Sequence, residues 1–129
     1  MNLNSALRIS ASGLAAERFR MDTISANIAN ANTIRKPGAD AWHRKDVIFS
    51  GDANGVRVVG MAEDKTAYTI KYEPENPYAD ENGQVFYSNV DPLQEMVNMM
   101  SASRAYEANI EAFNSAKSMI RSALEIGKI

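Results

Sequence analysis

The sequence has 129 residues, 45% hydrophobic and 23% charged, which is enough for one domain with a core and too short for two ordinary ones. Its formal net charge of −2 lacks the basic excess a general nucleic-acid binder needs to displace counterions from phosphates, and it argues equally against an anionic membrane surface. There is no cysteine, so disulfides and thiolate metal sites are excluded.

The opening residues, MNLNSALRIS, carry no charged leader followed by an apolar core, so no cleavable signal peptide is expected. No apolar stretch is long enough to insert in a membrane. From Leu3 to about Ala29 the pattern predicts a helix. Leu7, Leu14, Met21 and Ile28 recur every seven residues, with Ile24 one turn before the last of them, and such a seam packs lengthwise on another helix. Ile9 and Phe19 lie on the side away from it.

The helix runs into SANIANANT, where three asparagines fall within six residues. Asn ends helices well, because its short amide competes for backbone hydrogen bonds and tolerates the left-handed conformation. Asn27 and Asn30 project from the second side of the helix. Two expectations stand for them: contact with neighbouring subunits, where a buried amide fixes register, or a frayed and solvated helix end. Asn32 is expected to help turn the chain before Pro37 and Gly38.

The middle third is rich in β-branched and aromatic residues. HRKDVIF, GVRVVGM, AYTIKY and QVFYS predict short strands, separated by SGDANG, EDK and PENPYADENG, in two small hairpins or one compact sheet. HRK, beside Trp42, reads as a solvated strand edge kept from pairing by its charge. His43 has no second histidine with which to build a zinc site. DANG and ADENG lack the alternating ligands and closing glutamate of a calcium loop and read as turns. No Gly-rich phosphate loop or Gly-x-Ser-x-Gly is present. No catalytic residue, cofactor or metal is expected, and the chain does not read as an enzyme.

From Asp91 to about Ile126 a second helix is predicted, with Pro92 in its first turn and a length of roughly 54 Å. Its seven-residue seam is Met99, Tyr106, Phe113 and Ile120, flanked by Met96, Ile110 and Leu124. A second stripe holds Ala105, Ala108, Ala112, Ala116, Met119 and Ala123, where small residues admit a close neighbour. Together the stripes span about 200° of arc, roughly twice the apolar face of an ordinary surface helix. One partner helix cannot bury both, so Ile9, Phe19, Asn27, Asn30 and the alanine stripe with Met119 are expected to meet other subunits. The expected fold class is α+β, with long terminal helices paired as a coiled coil (1–33 and 91–129) around a small β-rich region with loops (34–90).

SASGLAAERFRMDTISANIANANT resembles the N-terminal signature of bacterial flagellar rod and hook proteins, and NVDPLQEMVNMMSASRAYEANIEAFNSAKSM resembles the matching C-terminal signature. YEPENPYADENGQVFYSNVD is similar to the segment that leads into this helix in the same family, so the likeness covers nearly the whole chain. Hook and distal rod members insert large β domains that 129 residues cannot hold, which points to a proximal rod type. The resemblance implies a structural subunit of the basal-body rod, a periplasmic drive shaft that carries motor torque to the hook. It also implies export through the flagellar type III apparatus without a cleaved signal, self-assembly, and contacts with rod proteins of the FlgB, FlgF and FlgG types. The residues themselves leave a second reading open, a small helical adaptor that captures a single partner helix. A bulky residue at Ala112 separates the two, blocking incorporation only of a polymer subunit.

Overall fold

The computed structural model describes residues 2–128. The chain is α+β, as its pattern predicts: α1 (Leu3–Ala29), β1 (Lys45–Asp52), β2 (Gly55–Glu63), β3 (Thr69–Tyr72), β4 (Gln84–Tyr87) and α2 (Pro92–Ile126). Both helices begin on caps written in the sequence. Asn2 Oδ1 accepts the Ser5 amide at 2.7 Å, and Asp91 Oδ1 accepts the Leu93 amide at 3.1 Å with Pro92 in the first helical position.

The residues gather into two compact units, one from Met1–Met21, Val47–Gly60 and Met100–Ile129, the other from Asp22–Asp46 and Met61–Met99. Each takes part of both helices and part of the β structure. The units therefore cut across the expected division into a helical pair and a β region.

In the first unit, β1 and β2 are joined by only Ala53 and Asn54, a connection that permits an antiparallel pair alone. Asp52 Oδ1 accepts the Asn54 amide at 2.7 Å and tightens the turn. Gly55 follows at φ 127°, and a Cβ there would collide with the Ser12 side chain. Ser12 Oγ itself accepts the Val56 amide at 3.1 Å and donates to the Ile9 carbonyl at 2.7 Å. The hairpin turn thus lies directly on α1 at Ile9–Ser12. On Gly13, a Cβ would stand 2.7 Å from Asn109 Nδ2, so glycine is what allows α1 and α2 their close approach at this point.

In the second unit β3 and β4 pair antiparallel, Thr69 opposite Tyr87 and Tyr72 opposite Gln84. The chain after α1 runs along the other edge of β4: the Arg35 amide donates to the Phe86 carbonyl at 2.8 Å and the Ser88 amide to the Thr33 carbonyl at 3.0 Å. A core of Ile24, Ala31, Ala41, Val85 and Val90 is buried between these segments.

The burial along α2 corrects part of the expected seam. Met99, Tyr106, Phe113 and Ile120 are half-buried, but the residues packed beside them are Glu95, Ala102 and Ala116, all buried, with Asn109 half-buried. Met96, Ile110 and Leu124 lie on the opposite flank and remain 53%, 38% and 65% exposed. The small side chains at 102 and 116 lie on the buried flank of the helix, and the larger ones lie on the flank left open. On α1 the seam residues Leu7, Leu14, Met21 and Ile28 are half-buried, while Ser10, Gly13, Ala16, Thr23, Ile24 and Asn27 are buried. Close helix approach here rests on small residues, as at Gly13.

Candidate functional site

Asn27 occupies the centre of the second unit and is 0% exposed. Its amide pairs with both backbone groups of Lys45, the first residue of β1: Nδ2 donates to the carbonyl at 2.8 Å and Oδ1 accepts the amide at 2.9 Å. Oδ1 also accepts Trp42 Nε1 at 3.1 Å, and Nδ2 reaches Glu95 Oε2 at 3.5 Å. The side chain acts as one residue of a β ladder inserted from α1, and the two expectations for it are both corrected. It is neither a subunit contact nor part of a frayed end. Asn30 closes its own helix, donating to the Ala26 carbonyl at 2.8 Å, while Asn32 is exposed at the rim of a cleft of about 420 Å³ near Lys71 and Asp91.

Arg44 completes this lock. Its Nε donates to Glu95, which is fully buried in the first turn of α2, and its two terminal nitrogens grip Asp46 at 2.6 and 2.8 Å. Asp64 stands 3.6 Å away. The Asp46 carboxylate, followed by Glu95, raises the Arg44 pKa further above its ordinary value, against the opposing effect of burial. The Arg44 amide donates to Asn89 Oδ1 at 2.7 Å, and Asn89 in turn holds the carbonyls of Asp64 and Thr66. The HRK segment is therefore not a solvated edge at Arg44. Among the described residues every buried side-chain nitrogen and oxygen has a hydrogen-bond partner. The signal that could have found Glu95 is its isolation: it is the one charged residue between Pro92 and Ser103.

His43 stacks on Tyr68 with centroids 4.6 Å apart, and its Nδ1 lies 3.7 Å from Glu63. Near the sheet, Tyr87 donates its hydroxyl proton to Glu73 at 2.8 Å, and Asn76 Nδ2 donates to the same carboxylate at 3.1 Å. These bonds, Tyr87's first, hold the Glu73 carboxyl below its ordinary value. Since the folded pKa is the lower one, the stabilisation is present above the carboxylate range and disappears as pH falls through the folded value. Tyr87→Phe is expected to move the Glu73 midpoint upward toward 4.5, read by NMR titration of its side-chain carboxyl.

The rest of the expected site residues divide by exposure. Ala108, Ala112, Met119 and Ala123 are exposed, and Phe19 is 41% exposed. Ala105 and Ile9 are half-buried, Ile9 beneath the hairpin turn. Ala116 is buried within the chain and leaves the set of outward contacts, as Asn27 does. Sequence reasoning missed a more exposed group on α2, Leu93 and Val97 beside Met96, with Met100 next in the same helical spacing. Their residue types were visible, but nothing in the sequence says which flank the chain leaves open.

Residues 7–35 match the family described as Flagella basal body rod protein, and residues 81–126 match Flagellar basal body rod FlgEFG protein C-terminal. Three flagellar basal-body rod proteins FlgC are similar over nearly their full lengths. That of Borreliella burgdorferi is 40% identical over 98% of this chain and 98% of its own. For Salmonella typhimurium the figures are 42%, 93% and 94%, and for Bacillus subtilis 40%, 95% and 96%.

Proposed function

Because this chain belongs to the FlgC family of flagellar basal-body rod proteins, and is a structural rod subunit, we propose that it polymerises into the periplasmic drive shaft that carries motor torque to the hook. It leaves the cytoplasm through the flagellar type III export apparatus without a cleaved signal, and it meets other rod proteins of the FlgB, FlgF and FlgG types. The observation that carries this reading is the apolar surface the chain leaves uncovered on α2, where Leu93, Met96, Val97, Met100, Ile110, Met119 and Leu124 are all exposed. Apolar patches of several hundred Å² on a soluble protein mark interaction surfaces, and a shaft needs lateral contacts along its whole length. In the assembled rod α1 and α2 pair as a coiled coil, with Ala108, Ala112, Met119, Ala123 and Phe19 facing neighbours.

Ala112→Phe tests the reading, because Ala112 is exposed and the chain can carry the larger ring without a clash of its own. The variant is expected to keep parental helix content by circular dichroism, to be lost from purified basal bodies and to abolish swimming. Parental incorporation with normal motility would contradict a rod contact at this face.

A further inference from the structure

Among the described residues, two of the open apolar surfaces on the helices are unlike in shape, one on each unit. The first is a ridge on α2, Leu93, Met96 and Val97, spaced i, i+3, i+4 and exposed by 72%, 53% and 53%. No charge interrupts it, since Glu95 points into the polar lock. The second is an open groove of about 550 Å³ at the start of α1 and the end of α2, lined by Asn2, Leu3, Asn4, Ile120, Ala123 and Leu124, again without a charged residue. A space of that size holds several side chains.

The charges on the two units say which surface meets which. The unit that bears the groove has eight Lys and Arg against five Asp and Glu, and the unit that bears the ridge has six against eleven. Ridge against ridge would bring two acidic units together, and groove against groove two basic ones. Ridge against groove alone joins opposite signs, and complementary potentials both steer the encounter and reject the wrong pairing.

We infer that the ridge of one copy seats in the groove of a second copy of this chain, an inference that rests on the rod-subunit reading above. The contact is heterologous: after it forms, each copy still offers the surface it has not used, so the arrangement repeats without closing and generates an open helical array. Uncharged, unlike surfaces supply the apolar contact, and the opposite net charges of the two units set its direction.

The chain has no cysteine, so introduced thiols report the contact cleanly. Met96→Cys and Ala123→Cys are co-expressed as separate chains, basal bodies are purified, and a short bis-maleimide is applied. The expected product is a species of twice the subunit mass containing one copy of each variant, absent when either variant is expressed alone. Leu93→Cys with Leu124→Cys serves as the second pair should a member of the first be excluded from the basal body. A dimer from Met96→Cys alone, an adduct joining the ridge or groove to a different rod protein, or no cross-link with both variants incorporated would overturn the inference while leaving the rod reading intact. Absence of the parental chain from basal bodies would instead overturn the rod reading itself.

Discussion

Arg44→Met is expected to destabilise the unit formed by Asp22–Asp46 and Met61–Met99 by about 3–5 kcal/mol, the cost of leaving a buried charge without its partner. With Arg44 gone, the fully buried Glu95 keeps only long contacts of 3.5 Å to the amides of Asn27 and Asn98. Trp42 is the single tryptophan and hydrogen-bonds within the same network, so its fluorescence during urea unfolding reads the loss directly. The two partners are not equivalent. If Glu95 is removed instead, Arg44 still holds Asp46 through two nitrogens and stands beside Asp64. Arg44→Met combined with Glu95→Leu is therefore expected to recover to within about 1–2 kcal/mol of the parent, because a buried pair can be replaced by apolar groups at little net cost. A double variant as damaged as the sum of its singles would show that no such coupling exists.

The second large effect is expected at Asn27. Asn27→Leu strands three part-buried groups, the Lys45 amide and carbonyl and the Trp42 indole N–H, each worth at most about 1–3 kcal/mol when unpaired. Asn27→Asp is more discriminating, since it keeps the shape. The carboxylate still accepts from Lys45 N and Trp42 Nε1, but it turns an acceptor toward the Lys45 carbonyl and the Glu95 carboxylate, where the amide donated. Burial and the neighbouring anion both raise the pKa of the introduced carboxyl. Its neutral form is the compatible one, so the variant should be closest to parental stability at low pH and lose stability as pH rises through the raised midpoint. The comparison residue is Asn30, whose single bond to the Ala26 carbonyl is half-exposed; Asn30→Asp is expected to cost no more than about 1.5 kcal/mol. Equal damage at the two positions, or a flat pH dependence for Asn27→Asp, would contradict the role given to the Asn27 amide.

Much of the architecture was legible because its signals are local. Seven-residue spacing, the Asp91-Pro92 start, the Gly-containing turns and runs such as GVRVVGM and QVFY mark elements whose bounds the chain follows closely. What the sequence hid depends on partners far along the chain. Asn27 finds Trp42 fifteen residues away, Lys45 eighteen away and Glu95 sixty-eight away, so its neighbourhood cannot be read from helical period. The same limit explains Arg44, where a charged trio resembles a solvated edge until the buried carboxylate opposite it is known. The flank of α2 was a different kind of miss. The heptad series of Met96, Ile110 and Leu124 contains one charge, Lys117, and the series of Glu95, Ala102, Asn109 and Ala116 also contains one, Glu95, so charge does not separate them. Large apolar residues drew the expectation to the first series, and small ones decided the packing in favour of the second.

A cryo-EM map of purified basal bodies tests most directly whether the exposed apolar surface of α2 exists to be covered by neighbours. Met96, Met100, Ile110 and Met119 are each at least 38% exposed in the single chain, and in the map each is expected to lie against a side chain from another subunit of the rod. A map that resolves this chain in the rod with those four side chains still facing solvent would contradict it.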